Sequence, residues 1–85
     1  MVEKISANVK VVGLNIEHNF LIPREMSVLD AIALIVKAIH EEYPGVQGGL
    51  LKDCALMQAS SGKVLNPLCS FKQLEIVQGE RLILI

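Results

Sequence analysis

The side chains best suited to chemistry in this chain are two histidines and two cysteines, and their spacing completes no catalytic or metal-binding set. His40-Glu41-Glu42 resembles half of a metal-binding motif, but no second histidine follows one helical turn later. His18 falls on the apolar parity of a strand-like pattern, so both histidines are predicted to be structural or solvated. No Ser/Cys–His–acid set is recognisable either. We therefore predict a non-enzymatic protein with no catalytic residue, no metal and no cofactor.

The two cysteines, Cys54 and Cys69, stand far apart in the chain. A zinc site would need a second pair or a nearby histidine, and neither is present. No secretory context favours a disulfide, so we predict two reduced, buried thiols that act as small hydrophobic residues. A disulfide or a metal pair is the less favoured alternative.

A glycine-rich stretch, Gly45 to Gly49 with Lys52 nearby, has the composition of a phosphate-binding loop. Such loops open a helix, because the helix N-terminus attracts anions. This stretch follows a predicted helix, whose C-terminal end repels anions. We therefore predict a flexible connection and no phosphate site.

Composition excludes several classes of function. The net charge is −1 with no Lys/Arg cluster, and the chain has one Tyr, two Phe and no Trp, so nucleic-acid binding is not expected. No apolar run reaches the roughly 18 to 20 residues that cross a bilayer, and the N-terminus has no secretion-signal pattern. With 85 residues, 52% of them hydrophobic, we predict one domain, residues 1–85, in the cytoplasm.

The stretch Ser27–Glu42 is the element that must position the others, since it alone has a clear helical period. Ser27 stands at the N-cap position and Asp30 follows three residues later, which is a capping-box pattern. Pro44-Gly45 ends the helix. The apolar residues that share one face are Val28, Ile32, Ile35, Ile39 and Tyr43.

Alternating apolar residues predict the strands around this helix. Lys4–Val12 and Ile16–Ile22 alternate with a period of two and indicate a hairpin that Pro23 ends. The terminal strand is apolar on both faces, which is typical of the middle of a sheet. The segments predicted after the helix are a strand at Cys54–Ala59, a short strand at Lys63–Leu65, one helical turn at Ser70–Leu74 and a terminal strand at Arg81–Ile85.

An apolar helix among strands must pack across a sheet, because neither element can bury its apolar face alone. The terminal strand fits beside the first strand, and a long connection between them makes the two parallel. The predicted fold class is α+β: a ubiquitin-like β-grasp, with a mixed four- to five-stranded sheet packed on one helix in ββαββ order with a short extra strand.

Local features of the chain resemble ubiquitin-like proteins along essentially its full length. Pro23 precedes a Ser-capped helix, and a glycine turn precedes Lys63-Val64-Leu65. The most specific feature is the pattern L-x-I-x-x-G-x-x-L-x-L from Leu74 to Leu84. This pattern is found across ubiquitin-like domains and indicates the superfamily.

Within the superfamily, the chain is most similar to the bacterial YukD/EsaB group, which is associated with type VII (WXG-type) secretion. The resemblance rests on the helix stretch Ile32–Val36, on Leu21-Ile22-Pro23 before it, and on the ending Gly79–Ile85. It implies a cytoplasmic accessory factor that acts by protein–protein interaction. A small structural or regulatory subunit of a multicomponent enzyme is the alternative.

Conjugated and sulfur-carrier members of the superfamily end in a flexible Gly-Gly tail whose carboxylate is activated. This sequence ends at Ile85, and its only Gly-Gly pair, Gly48-Gly49, is internal. We therefore expect no covalent conjugation, as in the YukD/EsaB group, which also lacks the tail. A ubiquitin-like modifier would require a longer precursor.

The outer face of the sheet is the first candidate site. If Leu82 and Leu84 point at the helix, Ile83 and Ile85 point away from it, because successive side chains alternate. The resemblance places Met57 with Ile83 and Ile85, where ubiquitin-like folds carry an apolar recognition patch. We predict a protein partner there; a homo-oligomer contact or simple cover by the chain itself are the alternatives.

The helix flank is the second candidate site. Leu34 falls on the side away from the core stripe with Ala38 beside it, and Leu29 and Ala33 lie on the other flank. An exposed leucine is common on surfaces, but the pair predicts a second partner-binding surface through Leu34.

Overall fold

The computed structural model describes residues 3–45 and 54–85, so the predicted glycine-rich connection with Gly48, Gly49 and Lys52 lies outside the described residues. Within these ranges the chain forms four strands and one helix. Their bounds are β1 Lys4–Val11, β2 Ile16–Pro23, α1 Val28–Glu42, β3 Leu56–Gln58 and β4 Arg81–Leu84, with a short 3-10 turn at Val12–Leu14 after β1.

The four strands form one mixed sheet in the order β2-β1-β4-β3. β1 is antiparallel to β2 and parallel to β4, and β3 is antiparallel to β4. In the central parallel pair Val9 lies opposite Leu82, and both side chains are buried. The predicted β-grasp, with its first and last strands parallel at the centre of the sheet, is therefore confirmed.

Strand β1 buries every second side chain, as its alternating pattern predicts. In β2 the same alternation places Ile16, His18 and Phe20 in half-buried positions and Ile22 in a buried one. Ile22 in β2 is fully buried, whereas its neighbour Leu21 is 66% exposed. This one-sided burial fixes the register, because a slip by one residue would move the apolar set to solvent. The inward residues of β1 are all buried: Ile5, Ala7, Val9 and Val11.

Helix α1 packs its predicted apolar stripe into the core, and Tyr43 just after the helix is only half-buried. Ala31, which the period did not single out, is fully buried with the stripe. Within residues 3–45 and 54–85, no helix is long and apolar enough to cross a membrane. The buried helix residues are Val28, Ala31, Ile32, Ile35 and Ile39.

The ends of α1 follow the predicted capping signals. The side-chain Oγ of Ser27 accepts a hydrogen bond from the backbone N–H of Asp30 at 3.1 Å. At the other end the N–H of Tyr43 donates to the Ile39 carbonyl at 2.8 Å, and the helix ends before Pro44. A Ser N-cap satisfies one of the backbone donors that a helix start leaves unpaired.

The third strand is shorter than the predicted Cys54–Ala59 and covers Leu56–Gln58. Its pairing with β4 continues beyond those bounds, since Ala55 and Ile85 exchange two backbone hydrogen bonds of 2.8 and 2.9 Å. The predicted short strand Lys63–Leu65 is reduced to one antiparallel bridge between Val64 and Met57. Two backbone hydrogen bonds flank this bridge, from Gln58 N–H to the Lys63 carbonyl at 2.9 Å and from Leu65 N–H to the Leu56 carbonyl at 2.8 Å. Gly62, with a φ of +70°, turns the chain immediately before this segment.

The crossover from residue 66 to residue 76 contains the predicted helical turn. Leu74 N–H donates to the Ser70 carbonyl at 3.1 Å. Ser70 and Gln73 cap each other: Gln73 N–H donates to Ser70 Oγ at 3.1 Å, and Ser70 N–H donates to Gln73 Oε1 at 2.8 Å. This is the capping-box arrangement, and it places the following Phe71 in the core, where it is fully buried.

The prediction of two buried cysteines is wrong in one respect. Cys54 and Cys69 are each partly exposed. Both stand at the margins of the core, Cys54 just before β3 and Cys69 in the crossover, where its carbonyl accepts a hydrogen bond from Val28 N–H.

Replacing the N-cap residue tests the helix start. Ser27→Ala removes the acceptor for Asp30 N–H, and we expect the free energy of unfolding to fall by about 1 kcal/mol. Urea denaturation followed by circular dichroism measures this loss. Ser27→Asp, which keeps a capping oxygen, is the matched control; equal stability of Ser27→Ala and the wild type would contradict the assignment.

Phe71 tests whether the crossover is part of the core. We expect Phe71→Ala to lower the free energy of unfolding by about 3–5 kcal/mol, because it leaves a cavity in the hydrophobic core. Leu68→Ala, on the same crossover but with Leu68 81% exposed, is expected to cost less than about 0.5 kcal/mol. Chemical denaturation compares the two, and similar losses would show that the crossover is not docked as described.

Candidate protein-interaction surfaces

The predicted outer face of β4 is apolar and partly open. Leu82 and Leu84 are 1% and 2% exposed and face the core. Ile83 and Ile85 therefore face the opposite side of the sheet; Ile83 is half-buried and Ile85 is 50% exposed. The parity predicted for this strand agrees with the structure.

Met57 joins these isoleucines across the β3–β4 pair. Its strand register sets it directly opposite Ile83, and its neighbour Leu56 is fully buried. Side chains directly opposite each other in antiparallel strands lie on the same face and in contact range. The structure thus brings Met57 beside Ile83, with Ile85 two residues further along β4.

Val64 belongs to the same surface and was missed by the sequence reasoning. It bridges Met57 from the open side of β3 and is 58% exposed, whereas Leu65 next to it is buried. The signal was the alternation of Lys63-Val64-Leu65, in which burial of one leucine turns the preceding valine outward. We call Met57, Val64, Ile83 and Ile85 the outer apolar cluster.

The other half of the outer face is mainly polar, and its exposed apolar residue is Leu21 of β2, opposite Ser6. In register, Lys10 of β1 lies between Ile83 of β4 and Glu17 of β2. Asn8 Nδ2 donates to Asn19 Oδ1 at 3.1 Å on the same face. The outer apolar cluster therefore lies on β3, β4 and the residues directly adjoining them, Val64 and Ile85, and is bordered by cationic Lys10.

The two exposed helix leucines lie on opposite flanks of α1, as predicted. Leu34 is 40% exposed and stands one turn before Ala38, which faces β2 across a cleft. Leu29 is 55% exposed, and its N–H donates to the Pro67 carbonyl of the crossover at 3.0 Å. They do not form one surface.

The His18 side chain packs between β2 and the end of α1, where it contacts two aromatic rings. Its Nε2 lies 2.8 Å from the hydroxyl of Tyr43, and its ring meets the rings of Phe20 and Tyr43 edge-on. This contact ties β2 to the end of α1. In the parts of the chain that the structure describes, no three His, Cys, Asp or Glu side chains are grouped to hold a metal ion.

Comparisons with known proteins identify the architecture. No protein-family model matches the chain, and no curated protein sequence matches it significantly.

Three solved structures show the similarity. The EccD5 ubiquitin-like domain from Mycobacterium xenopi matches with a TM-score of 0.77 and 14% identity over 98% of this chain and 93% of that one. The ubiquitin-like domain of Plasmodium falciparum Dsk2 matches at 0.73 and 18% over 96% of each chain. The ubiquitin-like domain of the Mycobacterium tuberculosis type VII secretion system protein EccD1 matches at 0.68 and 14% over 98% of each. At these identities the likeness concerns the fold alone: this chain has the ubiquitin-like β-grasp fold.

Proposed function

We propose that this chain is a non-enzymatic module that docks on a protein partner through the outer apolar cluster. The observation that carries the proposal is the apolar surface around Ile83, which α1 leaves uncovered on the far side of the sheet. An apolar cluster bordered by polar residues is the usual form of a recognition surface. Docking would be noncovalent, because it uses side chains that carry no reactive group.

The cluster is large enough for a transient interaction. Burial of each aliphatic side chain contributes at most roughly 1.5–3 kcal/mol, and Ile83 and Met57 are already half-buried, so their gain is smaller. Loss of rigid-body freedom and side-chain ordering offset part of the total. Micromolar affinity follows, with Lys10 favouring a partner that carries an acidic side chain beside its apolar residues.

We further propose that the partner belongs to a type VII secretion system and that the chain acts in the bacterial cytoplasm. Two observations support this. The sequence features quoted above resemble the YukD/EsaB group, and two ubiquitin-like domains with the same fold are from EccD5 and EccD1, the latter a type VII secretion system protein. Leu34 remains the proposed second contact, since its flank of α1 is exposed.

Charge insertion in the cluster tests the docking surface. We expect Ile83→Asp to weaken partner binding at least about tenfold, because it places a carboxylate in the centre of the apolar contact. The fold should remain, since the side chain faces outward and the cost at such a strand position is about 1 kcal/mol. Quantitative mass spectrometry of a pull-down from the native cell measures binding, and circular dichroism checks folding.

Leu68→Asp is the matched control, because it makes the same kind of change at an apolar residue that lies on the crossover. It should capture the partner as well as the wild type does. Enrichment of a membrane ATPase or of small secreted helical proteins would support the secretion assignment. Undiminished capture by Ile83→Asp, or covalent ladders that contain the bait, would contradict noncovalent docking through this cluster.

A further inference from the structure

One flank of α1 carries apolar side chains that the fold leaves open, on the side of the helix away from Leu34. Leu29 is 55% exposed, Ala33 is exposed and Val36 is half-buried. At 100° per residue these three side chains lie within about 60° of one another, and their centre is about 110° from the centre of the buried stripe. We call Leu29, Ala33 and Val36 the Leu29 flank.

Two opposite charges border the Leu29 flank on its solvent side. Asp30 stands at the first turn of α1 and Lys37 two turns later, and both residues are exposed. The ion pairs formed between described residues lie elsewhere on the chain. The carboxylate of Asp30 and the ammonium group of Lys37 are therefore available to a partner.

This charge pattern is complementary to itself when the helix is reversed. In an antiparallel pair of α1 helices related by a twofold axis, Asp30 of each copy can lie level with Lys37 of the other. The axis then passes midway between residues 30 and 37, beside Ala33. The smallest side chain of the Leu29 flank thus stands where the two helices approach most closely, and Leu29 of each copy packs near Val36 of the other.

The remaining charged groups near the flank agree with this orientation. Helix ends carry opposite partial charges, so antiparallel helices attract each other. Glu41 of one copy comes near the start of the other helix, where the partial charge is positive. Glu25 before that start is already paired with Lys72 at 3.6 Å, and half-buried His40 lies level with the uncharged Ser27 of the second copy.

We propose that the Leu29 flank binds a second copy of this chain, with the two α1 helices antiparallel. A parallel pair would set Asp30 against Asp30 and Lys37 against Lys37, so the charges select one orientation. An unrelated apolar partner is a poorer occupant, because the centre of the flank offers only Ala33 and its charges already match a reversed copy.

The pairing is expected to be weak and reversible. From Leu29 to Lys37 the contact extends over about 12 Å of helix. Stable protein interfaces bury more than about 1,200 Å², and one helix flank of this length supplies less. The fraction of dimer should therefore rise only at protein concentrations above about 100 μM.

The arrangement has a consequence for the sheet. Because the Leu29 flank lies about a quarter turn from the buried stripe, both sheets lie on the same side of the helix pair. The outer apolar clusters of the two copies then face in the same general direction, and one dimer presents two equal docking sites to a multivalent partner. This consequence rests on the proposed function, whereas the pairing itself does not.

Charge reversal is the direct test, measured by sedimentation velocity at low salt over about 10–1,000 μM protein. We expect Asp30→Lys alone and Lys37→Asp alone each to weaken self-association at least about fivefold, because like charges then face each other. Mixing the two single variants, or combining both changes in one chain, should restore association, since each lysine again faces a carboxylate. Circular dichroism checks that every variant is folded.

A matched pair of arginine variants tests which flank is used. We expect Ala33→Arg to abolish self-association, because a long side chain then stands at the crossing of the two helices. Leu34→Arg, on the opposite flank of α1, should associate as the wild type does.

Three outcomes would overturn the proposal. The first is a wild type that stays monomeric over the whole concentration range, and the second is an equal effect of the two arginine variants. The third is self-association that the single charge reversals leave unchanged and that Ile83→Asp removes, which would assign it to the outer apolar cluster. Because Ile83→Asp should otherwise dimerise normally, this inference and the proposed docking function can fail separately.

Discussion

The parallel pairing of β1 with β4 at the centre of the sheet is the constraint on which the rest of the structure depends. Val9 and Leu82 meet there with both side chains buried. The two strands come from the beginning and the end of the chain, so every intervening element must fold within the connection between them. Contacts this distant in sequence are costly to close, and the apolar face that β4 shares with β1 must offset that cost.

This central pair also decides which surfaces remain open. With β1 and β4 in the middle, β2 and β3 become the edges, and one helix is enough to cover one face. Among residues 3–45 and 54–85 no helix lies on the other face, where half-buried Ile83 stands beside Met57. An apolar cluster on the outside of the sheet and an open flank on the helix are thus consequences of the same topology, and the side chains present there decide what each surface recognises.

Features that depend on local sequence were predictable. The alternation in β1 and the Ser27 cap each involve residues a few positions apart, so the sequence predicted strand, helix and their order, and the sheet order followed. The full burial of Phe71 was not predictable from its surroundings, because it arises only when the crossover docks against the start of α1, where Val28 N–H donates to the Cys69 carbonyl. Val64 was missed for a related reason: the alternation of Lys63-Val64-Leu65 turns Val64 outward, but only its bridge to Met57 brings it to the outer apolar cluster.

The two proposed surfaces would select partners by different physics. The outer apolar cluster offers side chains, so its specificity changes with each substitution at Ile83 or Met57. The Leu29 flank offers little apolar surface, so selectivity there must come from the order of its charges, Asp30 before Lys37, which matches a reversed copy. A small domain has few apolar side chains and needs them for its core. Selection by charge along a helix flank requires no additional exposed apolar side chain. The same fold can therefore hold one partner by shape at its face and a second copy of itself by charge along its helix.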